Sequence, residues 1–185
     1  MRGVRRLAAA RCQAQMKAEI RRADLSDTDK LASLIARSFQ DVADRFGLTP
    51  ANAPTHPSNA APQWIHDDIA SGVEYLIAEI AGEPVACVGY RRTSAELVEA
   101  QRLAVLPEHR GSGVADQLNH AVLQAVRDLG VARIRIAVVS GHQSLRRWYL
   151  RMGFVETEER RFTHLPFAVQ YLELALQEGD ESADA

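Results

Sequence analysis

Residues 103–115 read LAVLPEHRGSGVA: Leu103, Ala104 and Val105 end an extended run, Pro107 stops it, and Gly111, Ser112 and Gly113 lead into a helix. Proline cannot continue a strand ladder. Glycines let the backbone approach a ligand closely and turn several N–H groups outward. A helix N-terminus adds about half a positive charge. Together these features suit an anion such as a pyrophosphate. By itself, a GxG this short reads equally well as a plain strand-to-helix turn. Two phosphate cradles are disfavoured. A P-loop needs Lys directly after its last glycine, and here Val114 follows Gly113. A dinucleotide fingerprint opens a βαβ unit, whereas this turn comes after four predicted strands.

Working outward, the pattern predicts elements on both sides. Ala18, Ile20 and Arg22 alternate with polar residues in a short strand ending near Asp24. Ser26 with Asp29 three residues on reads as a capping box, ahead of Leu31, Leu34, Ile35 and Phe39 at helical spacing. Residues 46–62 carry four prolines and no periodicity, and predict a loop of the long kind that tends to be functional. A helix over 63–70 follows. Strands are predicted over 73–80, 85–91 and 95–105, the first two forming a hairpin about Ala81, Gly82 and Glu83. An apolar stripe from Val114 to Leu129 predicts a helix closed by Gly130, and then come a strand over 133–138, a helix over 144–152 and strands over 154–161 and 168–176. This order, β-α-α-β-β-β-α-β-α-β-β, is α/β with a mixed sheet.

The turn resembles the acyl-CoA motif [Q/R]-x-x-G-x-[G/A] of the GCN5-related N-acetyltransferase (GNAT) superfamily, with Arg110, Gly113 and Ala115 in the defining places. About 30 residues later, 148–154 (WYLRMGF) is similar to that family's F-Y-x-x-x-G-F helix end. The resemblance runs from about Met16 to Leu176. It implies a mostly antiparallel sheet flanked by helices, with 95–105 and 133–138 splayed apart. The pantetheine arm of acetyl-CoA would bond to the backbone of Leu103, Ala104 and Val105. Its pyrophosphate would rest on N–H groups of Gly111, Ser112, Gly113, Val114, Ala115 and Asp116, beside Arg110.

The activity implied is an N-acetyltransferase that moves an acetyl group directly from the CoA thioester to a primary amine on a small metabolite. The alternatives are a protein or peptide acetyltransferase and a non-catalytic acyl-CoA sensor. A pocket roofed by residues 46–62 would favour the small acceptor, and an open groove the peptide. Tyr149 matches the family's thiolate-protonating tyrosine, and a phenol is a donor at pH 7. Glu99, five residues before Ala104, matches the base of the histone-acetyltransferase branch, with Glu96 as the back-up. In a regular strand Glu99 would share an apolar face with Leu103 and Val105. A lysine-like amine costs about 4.6 kcal/mol to neutralise at pH 7 and an α-amine about 1.4 kcal/mol, so the need for a base depends on the acceptor. His142 stands where the family often has a CoA-touching Asn, and Ala137 where ribosomal-protein acetyltransferases carry a glutamate. His56 lies in the loop that would cover the acceptor, and His109 and His164 are weaker candidates.

Composition bounds the rest. With 185 residues, 46% apolar and 25% charged, the chain is one globular domain rather than a disordered or fibrous one. Cys12 and Cys87 are the only cysteines, which disfavours disulfide scaffolds and thiolate zinc sites, and no metal is expected. No apolar run approaches the roughly 18 residues of a membrane span. The net charge of −2 divides into +6 over residues 1–22 and −8 over the remainder. The expected organisation is a disordered basic extension over 1–15, the acetyltransferase domain over 16–176 and an acidic tail over 177–185. The expected setting is the cytoplasm, with no nucleic-acid or membrane partner. Edge strands would allow a homodimer.

Overall fold

Asp24 and Asp27 start the first helix by bonding each other's ends. Asp24 Oδ1 accepts the Ser26 N–H (2.7 Å), and Asp27 Oδ2 accepts the Asp24 N–H (3.0 Å). This box opens a 3-10 turn at Leu25–Asp27 that runs into helix α1, Thr28–Phe46. The box therefore lies two residues before the predicted Ser26 and Asp29. Its physical cause is remote in sequence: the Arg21 guanidinium grips Asp27 at 2.7 and 2.8 Å, and Asp27 is buried there. Arg21 also donates to Glu79 (2.8 Å), so one arginine ties the helix entry to two strands.

The computed structural model describes residues 17–163 and 165–176. The expectations for residues 1–15, Met16, His164 and 177–185 lie outside the described residues. The other elements are β1 (Glu19–Arg22), α2 (Pro62–Ala70), β2 (Glu74–Ile80), β3 (Glu83–Arg92), β4 (Leu97–Val105), α3 (Val114–Asp128), β5 (Arg133–Val139), α4 (Gln143–Arg151), β6 (Val155–Arg161) and β7 (Ala168–Ala175). They follow the predicted order, with ends shifted by one or two residues. One seven-stranded sheet runs β1-β2-β3-β4-β5-β7-β6, antiparallel except where β4 meets β5.

Two apolar layers sandwich this sheet. Val98, Leu118, Val122, Ile134, Tyr149 and Phe154 are among the side chains packed on the α3/α4 face. Leu31, Ile35, Ile65, Tyr75, Ile77 and Ala104 pack on the α1/α2 face. Each Leu or Ile buried completely in these layers is worth about 1.5–3 kcal/mol. The segment 47–61 is a loop, as predicted, but it is well anchored: Leu48 and Ala53 join Ala43 in a third small cluster.

Two irregularities of β4 shape its centre. Its parallel pairing with β5 covers only Leu97↔Arg133, Val98↔Ile134 and Glu99↔Arg135, after which the strands separate. Its pairing with β3 slips between Cys87 and Gly89, where Arg102 takes φ 53°. This is a β-bulge, with two residues opposing one, and it reverses the alternation of side chains. Val98 and Ala100 before the bulge and Leu103 and Val105 after it all join the α3/α4 layer. Glu99 consequently lies on the opposite face from Leu103 and Val105. The apolar setting that a regular strand would have provided is absent: Glu99 is 42% exposed and stands 3.9 Å from the Arg135 guanidinium.

Candidate active site

Past Glu99 the β5-facing edge of β4 has no strand partner among the described residues, and the gap opens into a cavity of about 980 Å³. The ends of β4 and β5, the glycine turn, the start of α4, the C-terminal half of α1 and the loop residues His56 and Pro57 all line it. The cavity thus has a roof made from α1 and the loop.

The glycine turn has the local geometry its residues dictate. A 3-10 turn at Pro107–His109 ends β4's course, and Gly111 (φ 75°) and Gly113 (φ 85°) take left-handed conformations. Gly113 caps α3 without any side-chain bond, and among the described residues no side chain caps the first helical N–H groups, which can serve a ligand. Ser112 Oγ donates to the His109 carbonyl (2.7 Å), which fixes the loop from within. Asp116 Oδ1 accepts the Trp148 indole N–H (3.1 Å), binding the first turn of α3 to α4. His109 Nδ1 is buried, with no hydrogen-bond partner among the described residues. An extended strand edge leading to a helix N-terminus fits a pantetheine arm ending in a pyrophosphate.

Arg110 behaves differently from its neighbours. Its guanidinium turns to α1 and donates to Asp41 Oδ2 (2.5 Å), Asp41 Oδ1 (3.0 Å) and the Ser38 carbonyl (2.7 Å). Its Nε reaches the Val105 carbonyl (3.3 Å). The arginine holds the Asp41 carboxyl below the usual carboxylate range. Leu103, Val105 and the residues from Arg110 to Asp116 line the cavity, while the Ala104 side chain is buried in the α1/α2 layer.

Tyr149 projects from α4 into the same cavity and is 5% exposed. Its ring sits edge-on between Trp148 (4.7 Å) and Phe154 (5.1 Å). Burial raises the phenol pKa above its ordinary value, so the hydroxyl keeps its proton at neutral pH. His142 caps α4, its Nδ1 accepting the Leu145 N–H (3.3 Å), and burial lowers its pKa. With Nδ1 occupied as an acceptor, the neutral ring has an Nε2–H to offer. His56, also lowered by burial, packs edge-on against Phe39 (5.9 Å) and bonds Ser58 through Nδ1.

The two carboxylates read as candidate bases lie outside the cavity lining. Glu96 pairs with Arg133 at 3.5 Å, and Glu99 stands two residues before the lining residue Gln101, on the same face. Sequence reasoning missed Asp41, Arg45 and Arg102. Asp41 and Arg45 follow the helical repeat from Ser38, a signal present in the sequence but not specific. Arg102 has no sequence signal, because the bulge that turns it is invisible there. Among the described residues no group of three or more metal-ligating side chains converges, and no helix is long and apolar enough to cross a membrane.

Comparison with known proteins agrees with this geometry. The model of the Acetyltransferase (GNAT) family matches residues 36–154. An uncharacterized N-acetyltransferase of Mycobacterium tuberculosis is 30% identical over 148 residues, covering 75% of this chain and 89% of that protein. Among solved structures, the ribosomal-protein-S18-alanine N-acetyltransferase of Escherichia coli superposes with a TM-score of 0.71 at 14% identity, over 91% of this chain and 100% of that one. PaiA N-acetyltransferase from Thermoplasma acidophilum, solved in complex with coenzyme A, gives 0.70 at 15% identity, over 84% and 98% of the two chains. With its splayed strands, its glycine turn and these matches, the chain belongs to the GNAT family of acetyltransferases.

Proposed function

We propose that this acyltransferase moves an acetyl group directly from the thioester of acetyl-CoA to a primary amine on a small metabolite. The divergence of β4 from β5 beside a free helix N-terminus carries the reading. In it, the open edge of Leu103, Ala104 and Val105 receives the pantetheine arm, and the N–H groups from Gly111 to Asp116 hold the pyrophosphate. His142 offers its Nε2–H nearby, and Arg110 holds the turn in shape from behind. The roof formed by α1, His56 and Pro57 supports a small acceptor over a peptide.

The amine nitrogen attacks the thioester carbonyl, a C–N bond forms and the C–S bond breaks. A strand N–H, of Ala104 or Val105, faces the oxygen on which charge develops. Tyr149 gives its proton to the departing thiolate; burial keeps the phenol protonated, and so a donor, at neutral pH. Glu99 takes the amine's proton through water along the α1/α2 face. A cytoplasmic setting goes with this reading, and the free, buried Cys87 is compatible with it.

The test is thiol release from acetyl-CoA against a panel of amines, amino acids, aminoglycosides and peptides, together with calorimetric titration of acetyl-CoA. Binding heat and amine-dependent thiol release are expected. Binding without release for any amine would leave an acyl-CoA sensor, and release with peptides alone would move the acceptor to proteins.

A further inference from the structure

We propose that the acceptor amine also carries a carboxylate, and that Arg102 binds it. The inference rests on the acetyl-transfer reading and narrows its substrate class.

Arg102 occupies the bulge of β4 with φ 53°, a left-handed conformation that strains a non-glycine residue. Such strain persists only where the surroundings enforce it, and it concentrates at functional sites. Here it turns the side chain toward the α1/α2 face, one residue before Leu103, where it lines the cavity.

One edge of the guanidinium is fixed from behind. Nη1 donates to the Tyr75 hydroxyl (2.6 Å) and pairs with Asp68, and the Tyr75 hydroxyl donates to Asp68 Oδ2 (2.6 Å). Gly89 makes this arrangement possible, because a Cβ there would lie 2.9 Å from Tyr75 Cε1. The Arg102 and Asp68 side chains are only 20% and 19% exposed, so the fork is held in place and partly desolvated. Among the described residues nothing takes Nε or Nη2. Nε and Nη2 form the edge of a guanidinium that accepts a carboxylate through two parallel bonds.

The rest of the cavity fits an anion better than a second cation. Arg45 lines it, packed over the Phe46 ring (5.3 Å), with no carboxylate paired to it among the described residues. Both carboxylates in the lining are engaged, Asp41 by Arg110 and Asp116 by Trp148. Phe39, Val42, Pro57 and Phe167 supply an apolar surface. The acceptor class is therefore a primary amine with a carboxylate and an apolar body, as in an apolar α-amino acid; polyamines and aminoglycosides lack the anion and add cations.

The experiment compares matched pairs: L-phenylalanine with phenethylamine, and L-leucine with 3-methylbutylamine. In the thiol-release assay each amino acid is expected to exceed its decarboxylated partner at least tenfold in kcat/KM. Arg102→Lys keeps a charge beside Asp68 but loses the fork, and should collapse that ratio toward one through the amino-acid KM. The double change Arg102→Gln with Asp68→Asn should do the same without leaving the half-buried Asp68 carboxylate unpaired, and melting curves confirm that both variants fold. Equal rates within each pair, or a ratio unmoved in both variants, would overturn the proposal while leaving acetyl transfer intact. If no amine releases thiol, the acetyl-transfer reading fails. Calorimetry on the CoA-saturated protein then decides: L-phenylalanine binding at least tenfold tighter than phenethylamine supports the carboxylate site, and any smaller preference, or no binding, overturns it.

Discussion

Arg110 of the glycine turn is bonded through both terminal nitrogens to the carboxylate of Asp41, in the C-terminal half of α1, at 2.5 and 3.0 Å. The contact joins the floor of the cavity to its roof, because Asp41 shares a helix face with Ser38, Val42 and Arg45, all of which line the cavity. An arginine that could have faced a phosphate is committed instead to holding the turn against the helix.

Replacing Asp41 with Asn should loosen that joint. The two side chains are 41% and 53% exposed, so the pair is worth no more than about 1 kcal/mol of stability. That corresponds to a fall in Tm of about 2–4 °C for a chain of this size. KM for acetyl-CoA should rise severalfold, with a smaller change in kcat. An unchanged KM would show that the turn keeps its shape without α1.

Tyr149→Phe removes one oxygen and leaves the edge-on packing with Trp148 and Phe154 in place. If the phenol protonates the thiolate, kcat should fall by about 10²-fold, the ordinary scale for a lost general acid. Acetyl-CoA affinity, read by calorimetry, should stay within about twofold. A variant with undiminished kcat would exclude the tyrosine from the chemistry.

The contribution of Glu99 should depend on how basic the acceptor is. A lysine-like amine is almost wholly protonated at pH 7, whereas an α-amine near pKa 8 is already about one-tenth neutral. Glu99→Gln should therefore reduce kcat/KM more for the first kind of acceptor than for the second. Equal effects on both kinds would argue for a structural role through the contact with Arg135.

Acid should weaken the fold in two separate windows. Burial lowers the pKa values of His56 and His142 from 6.5, so the unfolded chain takes up protons at a higher pH than the folded one. Their contribution to stability is complete above about pH 6.5 and declines as pH falls below that toward their folded values. Asp27 and Asp41, lowered from 3.8 chiefly by hydrogen bonds from Arg21 and Arg110, contribute above that value and lose their share as pH falls through their folded pKa values. Melting temperatures between pH 5 and 8 should show the first decline, and His56→Gln should make it shallower. An identical pH dependence in that variant would remove His56 as a cause.

The element order was legible because each part of it is a local pattern. The glycine turn was legible because proline, glycine and helical periodicity act over a few residues each. The capping box was displaced because two acids compete there, and a distant arginine, Arg21, decides between them. Glu99 lies on the face opposite to the one that regular alternation predicts, for a comparable reason. The alternation from Glu99 to Val105 assumes an uninterrupted strand, and the bulge at Arg102 breaks it.

By itself the sequence determined the order of the strands and helices, the glycine turn between β4 and α3 and the resemblance that implied acetyl transfer, since all of these follow from short-range spacing. The tertiary structure alone decided where the charged side chains around the cavity point. Arg110 is turned to Asp41, Arg102 is presented from a bulge and braced by Asp68 and Tyr75, and Glu99 looks toward the α1/α2 face beside Arg135. Each of those outcomes depends on partners between 27 and 69 positions away along the chain, and on one reversal of strand parity that no local pattern announces.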